Sequence, residues 1–333
     1  MDNFKAKTFL EEGFLKPLLD DKNVTDISYN GREIFYLHNE LGRCKTNIEL
    51  TQNDAKSFLR HISNICEQQF SYSNPILDVS FDRYRLNAVF SSVGRIDNEK
   101  GFTFSIRIAS EEIKIKEYND TLNPYLINLF KTLLKNGVSL VIGGMTGCGK
   151  TELQKYLISS LASKTRVVVI DNVLELDLNK YFKHLDLNVW QCDDKNKNTS
   201  IQSLVKNALR SNPDWIIVAE SRGEEMIEVL NSVMSGHPII TTIHSYDADT
   251  MPSRMARMVL MNDKKMDYED VLNDIYQHFP VYIYMKRIVK DDKVKRFISK
   301  ITYVTPLGER DVIYKYDDGK ILISKEYPGF ILK

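Results

Sequence analysis

One short stretch constrains this chain more than any other. Val138-Ser139-Leu140-Val141-Ile142-Gly143 reads as a buried strand running straight into Gly144-Met145-Thr146-Gly147-Cys148-Gly149-Lys150-Thr151. That is a complete G-x-x-x-x-G-K-[ST] phosphate loop, and each fixed position has a physical task. The glycines let the backbone curl until its N–H groups point inward at phosphate oxygens, where a Cβ would obstruct them. Lys150 brings a mobile cation to the β- and γ-phosphates, and the Thr151 hydroxyl is placed to ligate Mg²⁺. A helix from Thr151 to about Ala162, with Leu153, Tyr156, Leu157 and Leu161 turned inward, aims its positive end at the same anion. Met145, Thr146, Cys148 and Glu152 complete the segment whose backbone would wrap the phosphates. A chance match at this length is on the order of one in a hundred from glycine frequency and the three further constraints. The required strand and helix flank it.

The text around the loop sorts into two parts. Val24-Thr25-Asp26-Ile27-Ser28-Tyr29 alternates and stops at Asn30-Gly31, and Glu33 to Leu37 follows, which predicts a hairpin. Asp54 to Glu67 puts Phe58, His61, Ile62 and Ile65 on one helical face. Arg83 to Phe90 and Phe102 to Ile108 alternate as strands, and periodicity alone sets Arg85 and Arg107 on a solvated face. A Glu- and Lys-rich stretch, 111–120, is the candidate linker between an amino-terminal α/β domain, 1–110, and a larger domain, 121–333. In the latter, Asn123-Pro124 opens a helix with a cap and a first-turn proline, and Asn136-Gly137 stops it. From Val138 onward short apolar runs alternate with amphipathic helices, the pattern of a parallel sheet covered on both faces. After Met285 the text becomes alternating and charged, with turns at Asp291-Asp292 and Asp317-Asp318-Gly319, which predicts an antiparallel tail.

Composition narrows the partners. Lys plus Arg and Asp plus Glu are 45 each, so the 333-residue chain is formally neutral. A neutral chain without a basic stripe is not built as a bulk nucleic-acid or anionic-membrane binder. No apolar run approaches the roughly 18 residues of a membrane span, and the start lacks a signal-peptide plan. Cys44, Cys66, Cys148 and Cys192 are widely scattered, with no C-x-x-C and no ligand-spaced histidine, so neither a disulfide framework nor a zinc site is expected.

Two later strands end in acids. Arg166-Val167-Val168-Val169-Ile170 reaches Asp171, and Trp215-Ile216-Ile217-Val218-Ala219 reaches Glu220, followed by Ser221-Arg222-Gly223. Ligands of open α/β sheets sit beyond the carboxyl ends of the strands. A carboxylate there can hold Mg²⁺ through water, or orient and deprotonate the attacking water. Asn196-Lys197-Asn198-Thr199 breaks the guanine-reading N-K-x-D pattern at its last position, which points to ATP.

These residues together resemble the secretion ATPases of type II and type IV systems. Besides the loop, Ala208-Leu209-Arg210-Ser211-Asn212-Pro213-Asp214-Trp215-Ile216-Ile217-Val218-Ala219-Glu220-Ser221-Arg222-Gly223 parallels the family's A-L-R-x-x-P-D-x-I-I-V-G-E-x-R-G. Ser235-Gly236-His237 and Thr241-Thr242-Ile243-His244 look like its histidine box, and Asp171-Asn172-Val173-Leu174-Glu175-Leu176 its aspartate box. In the amino-terminal part, Arg85-Leu86-Asn87-Ala88 and Ser105-Ile106-Arg107 are similar to the pilus-assembly and conjugation branch. The resemblance implies a RecA-like P-loop NTPase motor domain preceded by the smaller α/β domain, and a homohexamer working with membrane-embedded secretion or pilus components at the cytoplasmic face. It implies ATP and Mg²⁺, with Glu220 as catalytic base, Thr151 and Glu220 toward the metal, Asp171 positioning water or metal, Arg222 and Arg210 as nearby charge, and His244 as a γ-phosphate sensor. It brings Arg85 and Arg107 onto the γ-phosphate.

The chain departs from the family pattern at Asp171 and Asn172, in the interval between His237 and His244, and at Cys148, where an oxidisable thiol enters the loop. The departures in the aspartate box leave room for a nucleotide-binding structural subunit with little turnover. A DNA translocase on the same core is the other alternative, and it would need the basic, aromatic-studded groove that the composition does not provide.

Overall fold

The computed structural model describes residues 2–115, 121–176, 179–193, 196–262, 265–290, 293–317 and 319–324. Of the candidate linker, 116–120 lies outside the described residues, as do the turn residues 291, 292 and 318. The chain divides into two compact units, one of Met1–Glu111 with Val173–Glu175 and Val289–Lys295, the other of Glu112–Asn172, Leu176–Ile288 and Arg296–Lys333.

The first unit begins with helices α1 (Asn3–Glu11) and α2 (Lys16–Leu19). Strands β1 (Val24–Tyr29) and β2 (Ile34–His38) form the expected hairpin. Its turn is held by the Asn30 side chain, which accepts from the N–H groups of Arg32 and Glu33, with Gly31 at φ +101°. After β3 (Gly42–Lys45) comes α3 (Gln52–Ile65), capped by Thr51, whose hydroxyl accepts from Asp54 N. Next are β4 (Ile76–Phe81), β5 (Tyr84–Val89), the two-residue pair β6 (Arg95–Ile96) and β7 (Glu99–Lys100), and β8 (Thr103–Ile108). Among the described residues the main sheet runs β3-β2-β1-β8-β5-β4, antiparallel throughout. Its period of two sends Ile27, Tyr29, Leu86, Ala88, Phe104 and Ile106 into a core shared with Leu10, Phe58 and Ile62 of the helices. The opposite face carries Asp26, Asp78, Arg85 and Arg107.

The second unit opens with α4 (Pro124–Lys135), where Asn123 Oδ1 accepts from Leu126 N at 2.9 Å and Pro124 occupies the first turn. Its apolar stripe includes Phe130, fully buried, whose truncation to Ala costs about 3–5 kcal/mol. There follow β9 (Leu140–Gly144), α5 (Lys150–Ser159), β10 (Arg166–Asp171), β11 (Asp186–Gln191), α6 (Ile201–Ala208), β12 (Trp215–Val218), α7 (Met226–Met234) and β13 (Ile239–Ile243). Then come α8 (Met251–Asn262), α9 (Tyr268–His278), β14 (Val281–Lys290), β15 (Lys293–Val304), β16 (Arg310–Asp317) and β17 (Lys320–Ile323). The nine strands among the described residues order as β11-β10-β12-β13-β9-β14-β15-β16-β17. From β11 to β14 the neighbours are parallel, and β15, β16 and β17 add antiparallel strands at one side.

The inner parallel strands β9, β10, β12 and β13 are buried on both faces, which is why they read as continuous apolar runs, whereas β11 at the sheet edge is half-buried. One face packs under α4 and α5 with Leu126, Phe130 and Leu157; the other packs under α6, α7, α8 and α9 with Val205, Leu230 and Met255. This is the RecA-like P-loop architecture, with the loop strand β9 inside the sheet, between β13 and β14. No described helix is long and apolar enough to cross a membrane.

Candidate functional site

The loop after β9 adopts a conformation that ordinary side chains resist. Gly144, Gly147 and Gly149 have φ of +152°, +74° and +99°. At Gly144 a Cβ would also sit 2.5 Å from both Met285 O and Cys148 Sγ, so space and backbone angle both demand glycine. Gly149 caps α5, and Lys150 begins it.

The Lys150 side chain is buried over the loop, its Nζ donating to Gly144 O at 3.0 Å and Met145 O at 3.2 Å. On its other side, His244 Nδ1 lies 3.5 Å away. His244 follows the carboxyl end of β13, and its Nε2 is 2.8 Å from Glu220 Oε1. That approach is off the hydrogen-bonding direction, and Oε1 is sealed from solvent with no hydrogen-bond partner in the described structure. The other carboxylate oxygen, Oε2, accepts from Arg222 Nη2 at 2.6 Å. Lys150, His244, Glu220 and Arg222 thus form one chain of groups across the carboxyl ends of β9, β13 and β12.

Glu220 is held there by its neighbours in sequence. Ser221 N donates to Thr242 O at 2.9 Å, the Thr242 hydroxyl donates to Ala219 O at 2.7 Å, and the Ser221 and Thr241 hydroxyls are 2.9 Å apart. Burial pushes the Glu220 carboxyl up, but the Arg222 hydrogen bond and the charges of Arg222, His244 and Lys150 outweigh it and bring it below the ordinary carboxylate range. Burial also lowers the His244 imidazole, reinforced by the Lys150 charge and opposed by the Glu220 carboxylate. The result is an ionised acid beside an imidazole biased toward neutrality.

A phosphate fits this arrangement. The glycine cradle curls through backbone angles that other residues resist, a lysine charge is held against its carbonyl oxygens, and α5 presents its amino end. An orphaned carboxylate oxygen faces the same place, as a water or a hard cation requires. Among the described residues no group of three or more His, Cys, Asp or Glu side chains could cage a metal alone.

Residues 99–290, more than half of the chain, match the family described as type II/IV secretion system protein. The chain belongs to that family. An uncharacterized protein of Bacillus anthracis is 28% identical over 327 residues, covering 94% of this chain and 72% of that protein. The type IV secretion system protein VirB11 of Brucella suis biovar 1 is 30% identical over 183 residues, 52% of this chain, and the match spans half (50%) of VirB11. The X-ray structure of the Legionella pneumophila ATPase DotB superposes with a TM-score of 0.66 at 22% identity, covering 90% of this chain and 80% of that one, a likeness of fold. With its complete phosphate loop, this member of the family is a P-loop ATPase.

The remaining expected residues are placed unevenly. Asp171, at the end of β10, is 2% exposed, and its carboxylate accepts from Leu176 N at 3.1 Å, closing the following turn. Glu152 turns its carboxylate onto buried Lys155, at 2.9 Å, and onto Lys114 N, at 2.8 Å. A carboxylate so placed repels phosphate, so Glu152 can serve a nucleotide only through its backbone N–H. Cys148 is 1% exposed, and burial raises its thiol against the pull of Lys150, so the thiol in the loop is protonated and shielded rather than reactive. In the first unit Arg85 and Arg107 are directly opposite one another on β5 and β8. Arg85 pairs with Asp78 through two hydrogen bonds of 3.1 and 2.9 Å, and Arg107 lies 3.6 Å from Asp26.

Topology corrects one expectation drawn from the resemblance, the place of Arg210, and shows how the histidine box is laid out. Arg210 precedes β12, at the amino end of the sheet, whereas Glu220 follows the carboxyl end of that strand. The two histidines of the box are likewise split by β13, with His237 before it and His244 after it. His237 instead lines a cleft of about 270 Å³ with Pro238, Gln277 and His278, at the end of the sheet away from the loop.

Three contributors escaped sequence reasoning. Gln154, fully buried, donates to Val218 O and Ile240 O and so ties α5 to β12 and β13; a polar residue amid the helix's apolar stripe was its signal. Glu225 accepts from Arg222 N and Gly223 N, fixing the turn that presents Arg222. Arg296 of β15 reaches the loop itself. Its position 149 residues beyond Gly147 left no local trace.

Proposed function

We propose that ATP hydrolysis at this loop drives a type IV secretion, conjugation or pilus-like apparatus, with the chain working as a homohexamer beside membrane-embedded components on the cytoplasmic side. The chain of Lys150, His244, Glu220 and Arg222 carries this reading. Lys150 neutralises the β- and γ-phosphates, and Glu220, ionised by its cationic neighbours, accepts a proton from the attacking water at Oε1. His244, biased toward neutrality, sets Nδ1 beside Lys150 and Nε2 beside Glu220 and reports on the γ-phosphate position. Mg²⁺ held by Thr151 and Glu220 would screen the phosphate charge as it is transferred. For Arg85 and Arg107 we keep the role that the resemblance implies, γ-phosphate recognition; each would then exchange its aspartate for phosphate. No direct nucleic-acid contact is part of this reading, consistent with the chain's zero net charge.

One observation favours a second reading. Asp171 spends its carboxylate on closing a turn, which suits a subunit that binds nucleotide and turns it over slowly. Size measurement with and without an ATP analogue, run beside a phosphate-release assay, tests the proposal. Nucleotide-stabilised hexamers with turnover support the motor. Hexamers with tight ATP binding and no turnover favour the structural subunit, and a chain that stays monomeric under all conditions sinks the ring.

A further inference from the structure

The antiparallel tail reaches back to the phosphate loop. Register between β14 and β9 aligns Met285 with Gly144, so β14 carries its next residues past the end of the loop strand, and β15 returns beside it. Met285 packs in the core beneath α5, together with Cys148 of the loop and Ile298 of β15. By strand alternation Arg287 and Arg296 face the same side. Arg296 Nε donates to Gly147 O at 2.8 Å, and its Cδ lies 3.6 Å from where a Cβ of Gly149 would be. The guanidinium thus holds the Gly147 carbonyl while the stem lies beside Gly149.

Gly147 is the residue for which this grip matters. A Cβ there would meet nothing within 4 Å, so its glycine is required by the backbone angle of +74° and not by space. The peptide unit is planar and trans, so its C=O and N–H point in opposite directions. Holding the Gly147 carbonyl toward Arg296 therefore turns the Cys148 N–H the other way, toward the Met145 carbonyl that Lys150 also meets. Among the described residues that N–H makes a long contact, 3.3 Å, to Met145 O, which a phosphate oxygen would readily replace.

We propose that Arg296 is a positioning residue for nucleotide binding, acting through the Gly147–Cys148 peptide to present the Cys148 N–H to phosphate. This rests on the ATPase reading of the loop. It makes the tail strands part of the cradle. The nearby Arg287 has a different part: its charge, after burial, lowers the Arg296 guanidinium, and its Nε is buried without a hydrogen-bond partner among the described residues. Arg287 thus opposes the charge of Arg296, and its Nε gives the loop carbonyl no hydrogen bond among the described residues.

Three variants of the full chain test this: R296M, which keeps the stem and removes the donors; R296K, which keeps the charge on a differently shaped head; and R287Q. ADP and ATP-analogue affinities are measured by calorimetry, KM and kcat by phosphate release, and thermal unfolding without nucleotide monitors the fold. The expected result is an about tenfold loss of affinity for both nucleotides in R296M, the scale of one charge-assisted hydrogen bond. KM should rise in proportion while kcat stays within about threefold, because Glu220 is held by other strands. R296K should share most of the deficit, since an ammonium cannot reproduce the Nε direction, and R287Q should bind as well as the original chain or better. Unchanged affinities in R296M overturn the proposal while leaving the ATPase reading intact. Full rescue by R296K, or an equal loss in R287Q, also overturns it by showing that general positive charge suffices. Failure of the unaltered chain to bind ADP or ATP overturns both readings.

Discussion

Replacing Glu220 with Gln separates its two tasks, because the new side chain has the same shape but cannot accept a proton. In the structure Oε2 receives the Arg222 guanidinium at 2.6 Å, and the amide oxygen of Gln can take that bond. What is lost there is the difference between a charged and a neutral acceptor, about 1 kcal/mol in a pair whose Arg222 partner is half exposed. The other position matters more. Oε1 is buried, close to His244 and without a hydrogen bond, and in the variant this site becomes an NH₂ that can donate to water but cannot deprotonate it. A general base contributes about 10²–10⁴-fold, or roughly 3–5 kcal/mol of activation free energy, so E220Q should slow hydrolysis at least about a hundredfold. Nucleotide affinity should hold, because Lys150 and the loop N–H groups still grip the phosphates. D171N is the control. Asn can still accept from Leu176 N, so hydrolysis should fall by less than in E220Q. Single-turnover phosphate release together with equilibrium binding of a fluorescent ATP analogue measures both effects. Equal losses in the two variants, or a larger loss in D171N, would falsify the assignment of Glu220 as the base.

Other outcomes follow from the same geometry. K150A should abolish turnover and weaken ATP binding, since it removes the charge held against the loop carbonyls, while circular dichroism stays that of the original fold; wild-type turnover would exclude the loop as the site. The pH profile should respond to Arg222. Because the folded-state Glu220 carboxyl is depressed, its base form persists below the ordinary carboxylate range, and both its catalytic competence and its stabilising contribution are lost only as pH falls through that lowered value. R222Q should therefore move the acidic limb of kcat to higher pH, and a limb that stays in place or moves down would contradict the electrostatic account. For Arg85 and Arg107, alanine at a merely solvated site changes stability by no more than about 0.5 kcal/mol and leaves nucleotide preference alone. If they read the γ-phosphate, R85A or R107A lowers ATP affinity roughly tenfold to a hundredfold and spares ADP, which paired titrations would resolve.

What the sequence by itself determined is whatever depends on near neighbours. The turn at Asn30-Gly31, the caps at Thr51 and Asn123, the strand–loop–helix around Lys150 and the acids closing β10 and β12 all arise from interactions within a few residues. Local periodicity could likewise place Arg85 and Arg107 on one polar face. It could not show that cross-strand register sets them directly opposite one another, each beside an aspartate from a different strand. Tertiary structure alone decided which charges share a site. Two histidines seven residues apart look like one motif, yet a strand advances about 3.3 Å per residue, so β13 carries His237 and His244 to opposite ends of the sheet. Arg210 and Glu220 are separated by β12 for the same reason. Conversely, Lys150, Glu220 and His244 converge because parallel strands bring their carboxyl ends to one edge whatever the length of the crossovers between them. The depressed Glu220 carboxyl, the shielded Cys148 thiol and the hold of Arg296 on Gly147 exist only after that convergence, because each depends on burial and on charges that sequence distance conceals.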